Sequence, residues 1–291
     1  MTDPVRVDFA SAGGVNIAAY RWDPDGPPLA IAQLVHGVGE YALRYAPVAD
    51  ALVRAGYVVY AHDHRGHGKT ALSAEQLGEL GEGGWAELVA DIGRMGTRAK
   101  DAHPGLPLGL IAHSLGSFGA QQFLLDHSGD VTAVVLSGTA VIDLLEPMMD
   151  LDAPMDLSGF NAPFQPPRTD FDWLSRDEAQ VDAYIADPLC GFGLDMAGGK
   201  AMFVAARQLA DAGRVAGMRS DLPVYIVVGE QDPVNGGMAL VNELVRRYSA
   251  AGLTDVTLVS YPEARHEVFN EINRDEVIAG VITWLGKALQ L

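Results

Sequence analysis

Cysteine and basic side chains are scarce in this sequence. Cys190 is the only cysteine among 291 residues, so no internal disulfide can form and no pair of thiols is present for a zinc or iron–sulfur site. Lysine and arginine together number 20 against 38 aspartates and glutamates, which gives a net charge of −18. Because a surface of that sign repels polyanions, nucleic acids and anionic membranes are excluded as expected partners.

Long apolar runs and internal repeats are missing as well, and we expect no leader peptide. No window approaches the ~18 uncharged apolar residues of a membrane span, and residues 1–6 lack the basic start and apolar stretch of a secretion signal. No repeat recurs at a period of ~20 to 50 residues, which excludes solenoids and propellers. We therefore expect a cytoplasmic globular protein without stable membrane insertion; the sequence leaves its oligomeric state open.

What the sequence does have is 48% apolar residues, arranged in alternating strands and helices. After a predicted β-hairpin over residues 5–9 and 15–22, uncharged segments of strand length alternate with segments of helical spacing. The predicted strands are 29–35, 57–61, 108–112, 131–137, 222–228 and 256–260, and the predicted helices are 45–55, 85–102, 115–126, 237–250 and 274–289. Continuous apolar strands of this kind are typical of a parallel sheet buried on both faces, so the sequence predicts an α/β fold.

One long segment, residues 139–218, interrupts this alternation. Five prolines, at positions 147, 154, 163, 166 and 167, prevent long regular elements in its first half. Methionine, leucine, phenylalanine and tryptophan are too frequent there for a solvated linker. We therefore predict an α/β core of residues 1–138 and 219–291 and an inserted cap of residues 139–218.

A serine follows the predicted strand 108–112 closely. The segment Ala112-His113-Ser114-Leu115-Gly116 is close to the pattern G-x-S-x-G, in which a serine sits on a sharp turn between a strand and a helix. The predicted strand and helix supply that context, although alanine stands in place of the first glycine. Because ligands of open parallel sheets bind beyond the carboxyl ends of the strands, Ser114 is the candidate nucleophile.

Two later loops at the same sheet edge supply the partners that a serine nucleophile needs. A serine hydroxyl requires a base, and the base requires a group that holds its ring. Asp232 follows strand 222–228 and His266 follows strand 256–260, which completes the order Ser, Asp, His. Glu230 is the nearest rival to Asp232 as the orienting carboxylate.

The loop after strand 29–35 is the candidate source of oxyanion donors. Its sequence His36-Gly37-Val38-Gly39-Glu40 contains glycines that allow backbone N–H groups to face a ligand. We expect the N–H of Val38 to act together with the N–H of Leu115, which begins the following helix.

The string His62-Asp63-His64-Arg65-Gly66-His67 is a rival constellation that superficially resembles the H-x-H-x-D-H zinc motif. Glycine occupies the place of the aspartate, and the other histidines form no convincing further ligand pattern. We therefore interpret the string as a structured turn in which Asp63 and Arg65 tie neighbouring loops together, and we expect no metal.

Taken together, these segments resemble the α/β-hydrolase superfamily. Within it they resemble monoacylglycerol lipase and lysophospholipase-like serine hydrolases of the serine aminopeptidase S33 type. The loop with Glu40, the string 63–68 and Asp187-Pro188-Leu189 carry the resemblance together with the motif around Ser114, and it covers nearly the whole chain. It implies an eight-stranded, mostly parallel sheet, a helical cap after the sixth strand, a triad of Ser114, His266 and Asp232, and neither metal nor cofactor.

The start of the predicted cap is rich in adaptable apolar side chains. Met148, Met149, Met155 and Phe160 are candidates for an acyl-chain pocket, and five acids without a base between residues 143 and 156 disfavour anionic substrates. We expect a small-molecule substrate and hydrolysis of neutral carboxylic esters with medium or long apolar acyl chains, monoacylglycerol-like rather than lysophospholipid-like. Two alternatives stay open: an aminopeptidase of the proline-iminopeptidase type, and a non-enzymatic small-molecule receptor on the same fold.

Overall fold

An eight-stranded β-sheet forms the centre of the fold. The computed structural model describes residues 3–291; Met1 and Thr2, which belong to the predicted core and to the N-terminal segment 1–6, lie outside the described residues. The strands are β1 (Val5–Arg6), β2 (Phe9–Ala10), β3 (Asn16–Ile17), β4 (Ala19–Trp22), β5 (Ala30–Val35), β6 (Tyr57–His62), β7 (Leu108–His113), β8 (Ala133–Ser137), β9 (Val224–Gly229) and β10 (Val256–Tyr261).

The main sheet has the order β1-β4-β6-β5-β7-β8-β9-β10. Neighbours from β6 to β10 run parallel, whereas β4 pairs antiparallel with both β6 and β1. The central strands β5 to β9 are buried along their whole length, as their continuous apolar sequences predict. The predicted α/β fold with eight mostly parallel strands is confirmed.

Helices cover both faces of this sheet. They are α1 (Ala46–Arg54), α2 (Gly84–Ala102), α3 (Leu115–His127), α4 (Glu178–Ala186), α5 (Met196–Ala206), α6 (Ala212–Ala216), α7 (Ala239–Ala250) and α8 (Arg274–Ala288). Apolar residues of α2, α3 and α7 join one buried cluster with one face of the strands, and those of α1 and α8 join a second cluster with the other face. The recurrence of apolar residues every three or four positions gives α1, α2, α7 and α8 one buried side, whereas α3 is buried at nearly every position from Leu115 to Leu125.

The N-terminal hairpin is present but interrupted. β2 pairs with β3 in a separate two-stranded sheet, while β1 pairs with β4 at the edge of the main sheet. The ladder breaks at Asp8, whose carboxylate accepts the backbone N–H of Ala19 at 3.0 Å in place of a carbonyl. The sequence predicted one continuous hairpin because a side chain that replaces a ladder acceptor leaves no periodic signal.

The segment between β8 and β9 lies over the carboxyl ends of the strands. Its proline-rich first half contains short 3₁₀ turns, and its second half contains α4, α5 and α6. Each of these helices begins after an aspartate, at positions 177, 195 and 211, whose carboxylate accepts backbone N–H groups of the first turn. A third apolar cluster joins this segment to Leu115 and Phe118 of α3, so the segment packs directly above the loop that holds Ser114.

None of the helices within residues 3–291 combines the length and the apolar content that crossing a bilayer requires.

Candidate active site

Ser114 occupies a strained turn between β7 and α3. Its φ of 50° and ψ of −122° lie where non-glycine residues are rare, at a cost of about 1–3 kcal/mol. The turn closes tightly because a Cβ at Gly116 would stand 2.5 Å from the carbonyl oxygen of His36. Ala112, at the first position of the motif, is fully buried at the end of β7, and α3 still begins at Leu115. One extra methyl group at that position is therefore compatible with this turn.

The loops after β9 and β10 bring Asp232 and His266 to this serine. Nε2 of His266 lies 2.9 Å from Oγ of Ser114, and Nδ1 of the same ring lies 2.9 Å from Oδ2 of Asp232. Oδ1 of Asp232 accepts the backbone N–H of Val234 at 2.9 Å, which fixes the carboxylate. A proton can pass from the hydroxyl to Nε2 while the carboxylate holds the ring and its charge.

The surroundings of His266 favour its protonated form on balance. Burial lowers the pKa of the ring, whereas the negative charge of Asp232 and its hydrogen bond to the ring raise it. The charges of Glu267 and Glu40 raise it further, so the pKa lies above its ordinary value. The ring packs against Trp173 and His113 at centroid distances of 4.9 and 4.8 Å. The backbone carbonyl of Trp173 also accepts the N–H of His266 at 3.3 Å. The segment after β8 therefore helps to position this histidine, which the sequence did not indicate.

Glu230, the rival carboxylate, has a different partner. Its Oε1 accepts the hydroxyl of Ser260 at 2.7 Å. The geometry thus assigns contact with the imidazole to Asp232, two residues further along the same loop.

The two candidate oxyanion donors lie next to Ser114. Val38, Ser114 and Leu115 line one cavity. Leu115 is the first residue of α3, so its N–H has no acceptor within its own helix. Gly37 holds the Val38 loop close to the serine, because a Cβ there would stand 2.7 Å from Oε1 of Glu40 and 3.1 Å from the Cβ of Ser114.

A buried ion-pair network fixes the two loops relative to each other. Arg44 donates to Glu40 at 2.6 Å and, through both terminal nitrogens, to Glu267 at 2.7 and 2.9 Å. Glu40 also accepts the N–H of Gly37 at 2.6 Å and the hydroxyl of Tyr45 at 2.7 Å. Glu267 directly follows His266, so Arg44 connects the Val38 loop to the histidine loop. The motif with Glu40 indicated one partner of this network, whereas no motif pointed to Glu267.

Replacing Arg44 by glutamine is expected to lower the free energy of unfolding at neutral pH by about 3–5 kcal/mol, because two buried carboxylates lose their counter-ion. The deficit should shrink as the pH falls, since unpaired buried carboxylates have raised pKa values and become neutral by taking up protons. Urea unfolding at several pH values measures both effects. Arg54→Gln is the control, because that exposed pair with Asp50 should contribute less than about 1 kcal/mol. Equal losses in the two variants would contradict this account.

An apolar cavity of about 40 Å³ opens beside Ser114. Apart from the serine, its lining is apolar: Val38, Leu115, Phe118, Ile142, Leu145, Met149, Met155, Leu157, Phe160, Trp173, Met202, Phe203 and Val234. Three of the four predicted pocket residues therefore line it, namely Met149, Met155 and Phe160. The prediction for Met148 is wrong, since this side chain is 81% exposed in a 3₁₀ turn and lies outside the lining. Met148 and the adjacent Met149 face different directions, and amino-acid composition alone does not predict which of two neighbouring residues faces a cavity.

The histidine-rich string forms a packed turn. Asp63 accepts N–H groups of Ala42 and Lys69 at 2.9 and 2.8 Å, and Arg65 donates to Asp91 at 2.8 Å. These contacts tie neighbouring loops together in the way the sequence predicts. Within residues 3–291, no group of three or more histidine, cysteine or acidic side chains is arranged to bind a metal ion.

The same string contributes to a cluster of four buried histidines, at positions 36, 62, 64 and 67. Successive rings pack at centroid distances of 4.1 to 5.9 Å. Burial lowers the pKa of His62 and of His67 to about 4. It also holds the pKa values of His36 and His64 well below the ordinary range, with mutual repulsion adding to the effect. The native cluster is therefore neutral at neutral pH.

This cluster predicts acid sensitivity of the fold. The unfolded chain takes up protons on these histidines below about pH 6.5, whereas the native cluster does not, so stability should fall as the pH drops from there toward 4. Because the pKa of His62 is lowered to about 4 in the folded protein, His62→Leu should remove about 2 kcal/mol of this loss at pH 5. The substitution breaks no hydrogen bond, since neither ring nitrogen of His62 has a partner among the described residues. Denaturation between pH 7 and 5 tests the slope. His127→Gln, on an exposed side chain, should leave it unchanged, and an unchanged slope in His62→Leu would refute the explanation.

Comparison with known proteins assigns the family. The family described as serine aminopeptidase, S33, matches residues 26–273. The chain belongs to this family. The resemblance read from the motifs is thereby confirmed, and Ser114, Asp232 and His266 all lie within the matched residues.

Relatives of the family cover nearly the whole chain. The monoacylglycerol lipase of Mycolicibacterium smegmatis is 35% identical over 286 residues, which span 95% of either chain. The human monoglyceride lipase is 27% identical over 283 residues, which span 91% of this chain and 88% of that one. The crystal structure of a thermostable carboxyl esterase from Bacillus coagulans in complex with glycerol superposes with a TM-score of 0.86 at 26% identity, covering 99% of this chain and 100% of that one. These similarities support carboxylic ester hydrolysis as the activity.

Proposed function

We propose that this protein hydrolyses carboxylic esters of apolar acyl chains through a triad of Ser114, His266 and Asp232. The observation that carries the proposal is the serine hydroxyl at 2.9 Å from an imidazole whose other nitrogen is 2.9 Å from a buried carboxylate, beside an apolar cavity. The similarity to monoacylglycerol lipases along 95% of the chain supports an ester as the substrate.

The mechanism follows from the contacts of these residues. Nε2 of His266 takes the proton of the Ser114 hydroxyl as Oγ bonds to the ester carbonyl carbon, and the N–H groups of Val38 and Leu115 stabilise the oxyanion. The imidazolium then gives its proton to the departing alcohol, which leaves an acyl-enzyme. A water molecule gives a proton to His266 and attacks the acyl carbon. Ser114 recovers its proton from the imidazolium, and the carboxylic acid is released.

The cavity favours an acyl chain over a charged substrate group. Its lining contains neither an acidic nor a basic side chain, and Met149 and Met155 can adapt to a flexible chain. Two acids of the segment after β8 pair with bases: Asp143 with Arg247 at 2.8 Å and Asp152 with Lys200 at 2.9 Å. An aminopeptidase would need a carboxylate near Ser114 to hold the substrate amino group, so ester hydrolysis is the better fit. Monoacylglycerol-like esters of medium or long chains are the proposed class.

We further propose that residues 139–218 form a cap over a core made of residues 1–138 and 219–291. Nine of the cavity-lining residues come from this segment, from Ile142 to Phe203. The cap thus supplies most of the wall against which an acyl chain would lie, while the core supplies the reacting groups.

A series of p-nitrophenyl esters from acetate to palmitate, with a proline anilide beside them, tests the proposal. We expect kcat/KM to rise with chain length up to a medium or long acyl group, because each added methylene that enters an apolar cavity contributes about 0.8 kcal/mol. Multiple turnover distinguishes an enzyme from a receptor. Anilide cleavage without ester cleavage would overturn the proposal in favour of an aminopeptidase.

Two neighbouring methionines provide a matched pair of variants. Met149→Gln places an amide in the cavity lining and should lower kcat/KM for long-chain esters more than for the acetate, since an amide that a long acyl chain covers loses its contact with water and gains no partner. Met148→Gln alters an exposed side chain and should change neither. Equal effects of the two substitutions on the chain-length profile would contradict the assignment of this cavity to the acyl group.

A further inference from the structure

A second cavity, of about 420 Å³, lies between the cap and the loop that carries His266. Its lining consists of cap residues between 163 and 178 together with Arg265, and it shares no residue with the cavity at Ser114. Arg265 immediately precedes His266 in the chain. The cavity therefore adjoins the active site without being part of it.

Arg265 is unusual among the arginines of this acidic chain. Among the described residues, every other arginine pairs with a carboxylate, except for Arg98, which is exposed on α2. Arg265 is only partly exposed, and no carboxylate of residues 3–291 forms an ion pair with it. Where acids outnumber bases 38 to 20, a shielded arginine without such a partner is conspicuous.

The guanidinium of Arg265 is held in place and keeps one edge free. Its Nη1 donates to the carbonyl oxygens of Asp172 at 2.5 Å and Ser175 at 3.3 Å, and its Cζ lies over the ring of Phe164 at 4.3 Å from the ring centre. No acceptor in the described chain binds Nε or Nη2. These two N–H groups form the side-on fork that matches the two oxygens of a carboxylate.

The nearby acidic groups are committed to other donors. The Asp172 carboxylate accepts the N–H groups of Arg168 and Thr169 and the Thr169 hydroxyl at 2.6 to 3.1 Å. Glu271 accepts Nε of Arg176 and the backbone N–H of Arg265, both at 2.9 Å. Glu178 also lines the cavity but is exposed, so that solvent screens its charge. Burial lowers the pKa of Arg265, and Glu271 and Asp172 do not fully offset this, which indicates a positive charge that is incompletely compensated.

We propose that this second cavity binds a small organic carboxylate, held side-on by Nε and Nη2 of Arg265. Phe164 and the prolines at 163 and 166 provide an apolar wall for the hydrocarbon part of such an anion. Either the acid released by ester hydrolysis or an unrelated organic acid presents this chemistry. The site goes beyond the proposed function, and its occupancy requires no turnover.

Tryptophan fluorescence provides a direct test, because Trp173 follows Asp172, whose carbonyl holds Arg265. Titration of the full-length protein with sodium butyrate at constant ionic strength should give a saturable change. Arg265→Gln should weaken binding by about tenfold or more, since it removes a charge-assisted pair of hydrogen bonds. Arg265→Lys should weaken it too, because a lysine keeps the charge without the fork. Arg98→Gln, the matched control, should bind as the unmodified protein does. Thermal melting verifies that each variant is folded.

The proposal would be overturned by the absence of a saturable response in the unmodified protein, by binding that survives Arg265→Gln, or by inorganic phosphate binding more tightly than butyrate. Titration after fluorophosphonate labelling of Ser114 separates the two cavities. Unchanged butyrate affinity supports the second cavity, whereas loss of binding would assign the anion to the cavity at Ser114 and refute this site. Failure of the label to react would count against the proposed function alone, because the butyrate titration still reports on Arg265.

Discussion

Ser114→Ala is expected to lower kcat for ester hydrolysis by ~10⁴-fold or more while leaving a folded protein. The substitution removes the only atom that bonds to the acyl carbon, and the remaining groups of a triad cannot act without it. Labelling by a fluorophosphonate should disappear in the same variant. Steady-state hydrolysis of a p-nitrophenyl ester and detection of the label measure the two effects.

Ser117 is the control for this experiment because it lies in the first turn of α3, three residues after Ser114, and is also buried. Its hydroxyl donates to the carbonyl of Ser114 at 2.7 Å, so Ser117→Ala loses a hydrogen bond, which limits the expected cost to about tenfold in rate. Retention of more than about a tenth of the activity in Ser114→Ala would exclude this serine as the nucleophile.

Asp232→Asn is expected to have the second largest effect, a fall of ~10⁴-fold in kcat. An amide can present its NH₂ group to Nδ1 of His266, which favours the tautomer whose Nε2 already carries a proton and cannot accept one. The pH profile should change as well. In the unmodified enzyme, activity should rise with pH through the raised pKa of His266, since only the neutral ring accepts the proton. Loss of the Asp232 charge lowers that pKa and should move this rise in activity, the acid limb of the pH profile, to lower pH.

Glu230→Gln tests whether the assignment of the carboxylate is correct. It alters a residue two positions away whose carboxylate bonds to Ser260, so kcat and the acid limb of the profile should stay close to those of the unmodified enzyme. If Glu230→Gln shifted the acid limb and Asp232→Asn did not, the roles of the two acids would have to be exchanged.

The sheet and its helices were predictable because their signals are local and repeated. The continuous apolar strands from β5 to β9 and the helices after them follow from runs of a few residues, and their predicted ends agree to within about two residues. The loops after β7, β9 and β10 were predictable as a common location because the carboxyl ends of parallel strands share one edge. Ser114, Asp232 and His266 could therefore be named together from the sequence.

Contacts between distant segments were not predictable in this way. The ion pair of Arg44 with Glu267 joins residues 223 positions apart, and the packing of Trp173 on His266 depends on how the segment between β8 and β9 folds over the sheet. Neither is encoded by spacing along the chain. Met148 and Met149 show the same limit at short range, because which of two neighbours faces inward is set by tertiary packing.

The narrowness of the apolar cavity has a consequence for substrate affinity. A space of about 40 Å³ holds no more than a few water molecules, so a long acyl chain can enter only after side chains such as Met202 and Phe203 have moved. The measured affinity then depends on two quantities, the affinity of the opened arrangement for the substrate and the fraction of molecules in that arrangement. The measured affinity falls in proportion as that fraction falls. Substitutions that loosen the packing there should tighten substrate binding and lower the melting temperature together. Selection for tighter substrate binding and selection for a higher melting temperature would therefore favour opposite kinds of substitution at the same few side chains.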